Sequence, residues 1–209
     1  MGKIVISENT SLDGVIQDPT GTEGFRLGGW FSRSMGSDGE AWAKDEFAEA
    51  LGSAALLMGR RTYEWFVALG WAARSGEWAD RLRSLPKYVV SSTLTDLSWA
   101  NAQILTGDLA GQVSKLRREL EGDIVVHGSA RLAHAQVRPR VTGNAVRRWA
   151  LIEHDLVDEV RLMIFPCVLG EGERLFGAAG QQQALRLADT RTVGDGLVRL
   201  TYQRTAADA

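Results

Sequence analysis

The run AALLMG, residues 54 to 59, passes without a spacer into RRTYEWF, and this junction restricts the fold more than any other feature. Six small and apolar residues in a row are too short and too continuous for a surface helix. They fit a strand buried on both faces, the habit of parallel sheets. The polar and aromatic stretch from Arg60 then leaves as a helix directly after Gly59. Parallel strands need such crossovers, because a tight turn cannot join them.

The same alternation recurs along the chain. KIVISENTSLDGVI begins as a β-branched strand and turns at Asp13-Gly14, a pair suited to positive φ. KYVVSS, AQIL and DIVVHG read as further strands. Between them, residues 76 to 84 predict a polar helix, and Leu109, Val113, Leu116 and Leu120 recur at helical intervals from Asp108. Trp42, Phe47 and Leu51 predict a helix with one apolar face, capped by Ser37 or Asp38 and stopped at Gly52. DEVRLMIFPCVLG reads as a long strand bent at Pro166. ALRLADTRTV and LVRLTYQRT flank Gly194-Asp195-Gly196 as a terminal hairpin. The sum is an α/β sheet, mostly parallel, with an antiparallel edge. No repeat or low-complexity linker divides it, so one domain over residues 1–209 is expected.

Composition narrows the function classes. A formal net charge of −2 exerts no global pull on nucleic acid or an anionic membrane, so any bound anion must be held locally. Cys167, the single cysteine, has no internal disulfide partner, and its setting in MIFPCVLG favours a packed thiol. Three His residues suggest no metal cage. MGKIVISEN lacks the h-region of a signal peptide, and no apolar run reaches the roughly 18 residues of a membrane span. A soluble cytoplasmic protein is expected.

Three strand exits carry candidate chemistry, at the carboxyl edge where open α/β sheets bind ligands. Gly59-Arg60-Arg61-Thr62 opens a helix, and its free N–H groups with two guanidiniums suit phosphate; a solvated basic helix start is the equal alternative. Ser91, Ser92 and Thr93 offer hydroxyls to a phosphate or ribose, or simply a turn. Gly128-Ser129-Ala130 is a small-residue turn into a helix, which lets backbone N–H groups approach a pyrophosphate. Each is weak alone, being neither a G-x-G-x-x-G fingerprint nor a Walker loop. Together they suit a dinucleotide with an extra phosphate, NADPH rather than NADH.

In order, SLDG, LLMGRRTYE, YVVSSTL, VVHGSARL and LVDEVRLMIFPCVLGEGERLF resemble the dihydrofolate reductase-like fold over nearly the whole chain. The nearer likeness is to the branch holding the reductase domain of bacterial riboflavin biosynthesis and its stand-alone relatives. The resemblance implies a three-layer α-β-α fold around a sheet of about eight strands, with NADPH across the carboxyl edge. It implies Gly59, Arg60, Arg61 and Thr62 on the 2′-phosphate and pyrophosphate side, Ser91 and Ser92 at the adenosine phosphate, and Gly128, Ser129 and Ala130 at the pyrophosphate. The implied chemistry is hydride transfer to a C=N or C=O carbon of a small heterocycle, a pyrimidine or a pterin, and homodimers are common among relatives. A nucleotide-binding protein on the same fold without turnover is the alternative.

Such a step needs one acid and good geometry. Asp13, at the end of the first strand, is the first candidate, with a turn-forming role as its rival. Asp38, Asp45 and Glu46 lie on or near the helix flanking the pocket, where exterior charges are ordinary. Glu171 is either a substrate-side group or a loop charge. Trp30 and Phe31, in the Gly-, Ser- and Thr-rich loop of residues 17 to 37, either stack on a flat substrate or pack in the core. Residues 136–150, with four arginines, Pro139 and Gly143, read as an insertion into a helix that otherwise joins Ala135 to Leu151. Nucleic-acid binding through that basic insertion is a third class, disfavoured because the rest of the chain is not basic. Deleting it is expected to leave NADPH affinity intact.

Overall fold

A computed structural model describes residues 1–129, 132, 151–152, 154–176 and 184–205. The insertion at 136–150 and Ala130 lie outside the described residues. Among the described residues, eight strands and five helices follow in the order β1 (Lys3–Ser11), α1 (Trp30–Ser34), α2 (Gly39–Gly52), β2 (Ser53–Gly59), α3 (Arg60–Ala68), α4 (Glu77–Ser84), β3 (Lys87–Val90), β4 (Ala102–Leu105), α5 (Leu109–Glu119), β5 (Asp123–His127), β6 (Glu159–Phe165), β7 (Leu185–Val193) and β8 (Leu197–Arg204). Among the described residues, no helix is long and apolar enough to cross a membrane.

The strands form one sheet in the order β4-β3-β2-β5-β1-β6-β8-β7. From β4 to β6 every pairing is parallel, and β8 turns antiparallel against β6 and β7. Alternation along the central strands divides the core into two faces. Ile4 and Ile6 of β1 and Ile124 and Val126 of β5 meet Leu109, Val113 and Leu116 of α5 on one face. Val5, Leu56, Met58 and Val125 meet Ala50 of α2, Tyr63 of α3 and Leu82 of α4 on the other. Helices on both faces make the expected three-layer fold. α5 starts as its sequence says it should: Asp108 accepts the Gly111 N–H and satisfies one of the orphan donors of the first turn.

Three local expectations change. β6 ends at Phe165, before Pro166, and Cys167 turns back to donate its N–H to Phe165 O at 2.8 Å. The loop of residues 17 to 37 contains the short α1. The largest change concerns α2. Asp38 is its N-cap residue but makes no side-chain cap; its carboxylate accepts the N–H groups of Asp195 and Gly196, both at 2.8 Å, and so holds the β7–β8 turn. Gly194, at φ +65°, lies against that carboxylate where a Cβ would collide.

The inward face of α2 is ionic as well as apolar. Leu51 is 56% exposed, whereas Glu49 and Ala50 are buried. The reason is what the sheet presents there: Arg199 of β8 reaches Asp45, Glu46 and Glu49, and Arg161 of β6 reaches Glu49, Asp123 and Glu159. Asp45, Glu46 and Glu49 share a helical face. They point inward because their counter-charges are buried there.

Candidate active site

The three strand exits converge. Gly59 donates its N–H to Ser129 Oγ at 3.0 Å, that hydroxyl lies 3.0 Å from Thr62 Oγ1, and Thr62 donates to Gly128 O at 3.0 Å. Gly128 takes φ +55°, a left-handed conformation that favours glycine. Gly59 does not: its φ of −79° suits any residue, and glycine at this position leaves the strand exit open. The Ser129 and Thr62 hydroxyls therefore tie β2 and α3 to the turn after β5.

A cavity of about 580 Å³ lies above this junction. Gly59, Arg60, Arg61, Thr62, Ser91, Ser92, Gly128 and Ser129 all line it. Arg60 is half-exposed and pairs with Glu64 one turn along α3 at 3.0 Å. Ser91 Oγ accepts the N–H groups of Thr93 and Leu94, so this hydroxyl does shape a turn.

On the β1 side the cavity is lined by groups that the motifs do not mark. Glu8, 8% exposed, projects beside the Gly128-Ser129 turn. Burial raises its carboxyl to about 8, and hydrogen bonds from the Ser129 and Gly128 backbone only partly oppose this. Its Oε1 atom is buried without a hydrogen-bond partner. The backbone that the motif assigns to a pyrophosphate thus also favours the ionised form of a carboxyl group of the chain itself.

Glu46 and His127 also line the cavity. Burial raises Glu46 to about 8, with Glu49 adding to the rise and Arg199, 3.8 Å away, opposing it. Burial lowers His127, and Arg199 and Arg161 lower it further against the pull of Glu49. Glu49 stays ionised: burial opposes ionisation, but His127, Arg199, Arg161 and a hydrogen bond from Ser7 outweigh it. Glu46, Glu49 and His127 bring ligand-type atoms within 4.8 Å of one another. Two guanidiniums already neutralise Glu49, so the trio is built as an ionic network more than as a cation cage.

Four residues singled out in the sequence lie away from this cavity. Asp13 accepts hydrogen bonds from Ser11 Oγ at 2.7 Å, Leu169 N at 3.1 Å and Gly170 N at 2.9 Å. Burial would raise its carboxyl, but these bonds hold it at about 2, which unfits it as a proton donor at neutral pH. Trp30 is buried edge-on against Phe165 and donates Nε1–H to Gln17 O; it is core. Phe31 packs between Trp42 and Phe165 and lines a smaller adjoining hollow. Glu171 pairs with Arg26 on the surface. The aromatic wall of the cavity is instead Trp42, Trp65, Phe66, Trp71 and Trp78, and Trp42 donates Nε1–H to Asn9 Oδ1 of β1 at 3.1 Å.

The family model of the RibD C-terminal domain matches residues 2–199. The chain belongs to this family. Among curated proteins it is 32% identical over 121 residues to YyaP of Bacillus subtilis (strain 168), an uncharacterized protein; the match spans 58% of this chain and 56% of that one. Among solved structures it resembles a pyrimidine reductase-like protein of Corynebacterium diphtheriae, with a TM-score of 0.56, 14% identity and coverage of 98% and 92% of the two chains. It also resembles the diaminohydroxyphosphoribosylaminopyrimidine deaminase/5-amino-6-(5-phosphoribosylamino)uracil reductase of Thermotoga maritima. There the TM-score is 0.53, the identity 11%, and the coverage 98% of this chain and 57% of that one. At these identities the solved structures establish the shared fold. The chain spans little more than half the length of the Bacillus and Thermotoga proteins.

Proposed function

We propose that this chain is an NADPH-dependent reductase that delivers a hydride to a C=N or C=O carbon of a small heterocycle. The observation that carries the proposal is the convergence of eight motif residues from β2, β3 and β5 on one cavity, beside a buried carboxyl that is protonated at neutral pH. Family membership supports the same reading.

Arg60, Arg61 and the opening turn of α3 take the 2′-phosphate and pyrophosphate, with the positive end of the helix adding to two guanidiniums. Ser91 and Ser92 flank the adenosine end. The Gly128-Ser129 turn has a double role: its open backbone gives the dinucleotide room, and its N–H groups hold Glu8. Bound NADPH supplies the hydride. Glu8 supplies the proton to the nitrogen or oxygen that receives the electron pair of the C=N or C=O bond. The carboxylate left behind is held by the Gly128 and Ser129 N–H groups until solvent reprotonates it. Glu8 replaces Asp13 in this role because its proton is present at pH 7.

The test is a fluorescence titration of the purified protein with NADPH and NADH, followed by NADPH oxidation assays with pyrimidine, pterin, flavin and quinone panels. Tighter binding of NADPH, lost in Arg60→Ala and Arg61→Ala, is the expected result. Equal binding of both cofactors, unchanged by either substitution, would refute the phosphate assignment. Binding without oxidation of any acceptor would leave a nucleotide-binding protein on a reductase fold.

A further inference from the structure

Resting on the reductase reading, we infer that the hydride acceptor has two planar parts: a heterocycle that accepts a hydrogen bond from Asn9, and an apolar aryl group that enters the aromatic hollow beside the cavity. The placement begins in β1. Successive side chains of a strand leave on opposite faces, so Glu8 follows Ile4 and Ile6 to the α5 face, and Asn9 follows Val5 to the face of α2, α3 and α4. Both line the cavity, which therefore wraps over the end of the sheet.

Asn9 stands where two spaces meet. The cavity of about 580 Å³ and the adjoining hollow of about 520 Å³ share Asn9, Trp42, Trp65, Trp71 and Trp78 in their walls. An indole N–H can only donate, so the Asn9 atom that meets Trp42 Nε1 at 3.1 Å is the carbonyl oxygen. The carboxamide is thereby fixed with its Nδ2 donor turned away from Trp42. What Asn9 brings to the junction is a donor, one residue along the chain from Glu8. A heterocycle held beside Glu8 offers ring nitrogens and carbonyl oxygens of the matching kind.

The walls of the hollow come from four helices. Phe31 of α1, Trp42 of α2, Trp65 of α3 and Trp78 of α4 are each half-buried, and Trp71, between α3 and α4, joins them. The rings meet edge to face: Phe31 and Trp42 at 5.0 Å and 80°, Trp42 and Trp78 at 5.9 Å and 61°, Trp78 and Trp71 at 5.0 Å and 66°. Such crossed rings present both faces and edges, and a further aromatic ring packs well against either. A planar group already uses this wall, for the Arg74 guanidinium lies over the Trp71 ring, 4.7 Å from its centroid. An aryl group entering here takes half-buried ring surface out of water together with its own, which is worth about tenfold or more in affinity.

The experiment uses quinoxalin-2-one, a flat ring system with one C=N and one C=O group, and its 6-phenyl and 7-phenyl derivatives. Each is titrated by isothermal calorimetry into cofactor-free protein and into protein saturated with NADP⁺. At least one phenyl derivative is expected to bind about tenfold or more tightly than the parent. Leu69→Asp, a change at an exposed position in the wall of the hollow, should abolish that advantage and leave the affinity of the parent unchanged. Asn9→Asp keeps an oxygen for Trp42 and replaces the amide donor, so all three compounds should weaken about tenfold while NADP⁺ affinity holds. No gain from either phenyl group, or a gain that survives Leu69→Asp, overturns the aryl site, and undiminished binding to Asn9→Asp overturns the contact with Asn9. Failure of NADP⁺ to bind sinks the reductase reading alone, because the titrations of cofactor-free protein still compare the phenyl derivatives with their parent.

Discussion

Ser129 Oγ accepts the Gly59 N–H at 3.0 Å across 70 residues of sequence, and this one bond joins the exit of β2 to the exit of β5. Ser129→Ala leaves the Gly59 donor without its partner and releases Thr62. A loss of about 1–2 kcal/mol in stability is expected, together with weaker NADPH binding as the two exits separate. Chemical denaturation and a cofactor titration on the same preparation read both effects.

Glu8→Gln removes the proposed proton and keeps the shape of the side chain. The turnover number should fall by about 100-fold or more, with NADPH affinity nearly unchanged. The decline in activity on raising the pH through about 8 should also vanish. A variant that keeps both turnover and that alkaline decline would remove Glu8 from the mechanism.

The same residue links pH to stability. In the unfolded chain Glu8 ionises near 4.5, whereas folded it does so near 8. Below 4.5 it is protonated in both states; between the two values the unfolded state alone loses the proton, so stability falls as pH rises, and above 8 the loss is complete. Relative to the natural protein, Glu8→Gln should gain about 2–4 kcal/mol between pH 4 and pH 9. Urea denaturation at those two pH values measures the gain.

Arg199→Leu would take from Asp45, Glu46 and Glu49 the guanidinium they share, leaving Asp45 with Arg191 and Glu49 with Arg161. Breaking a buried pair from one side costs about 3–5 kcal/mol, so a fall of many degrees in Tm is expected. Glu49→Gln on the Arg199→Leu background should recover part of it, since it removes the most buried carboxylate of the cluster, which has lost one of its two guanidiniums.

Asp13→Asn should leave the pH profile of turnover in place and lower stability by about 1–2 kcal/mol. The carboxylate holds the Leu169 and Gly170 N–H groups and pairs with Arg174, so its work is to fasten the segment after β6 to the turn after β1. A collapse of turnover at unchanged stability would return Asp13 to the mechanism.

What was legible in the sequence was local. The strand-helix alternation, the hairpin at Gly194-Asp195-Gly196 and the three strand-exit motifs are written in neighbouring residues, and the structure places the described motif residues around one cavity. Glu8 was illegible because a glutamate in KIVISENTS looks like an outward strand residue until the Gly128-Ser129 turn closes over it. The acids of α2 read as solvent-facing because Arg199 lies about 150 residues further on. Trp30 could be either stacking platform or core until Phe165 appeared beside it. In each case the environment that decides the role comes from a distant part of the chain.

The position of β1 has a consequence for how the protein comes into being. The first strand pairs with β5 and β6, whose residues begin at Asp123 and Glu159. During synthesis the amino-terminal strand therefore waits, apolar and unpaired, until most of the chain has left the ribosome. The sheet can grow from β2, β3 and β4 in the meantime, so the arginine side of the cavity takes shape early. The acid side, which depends on β1 entering the gap between β5 and β6, is completed last.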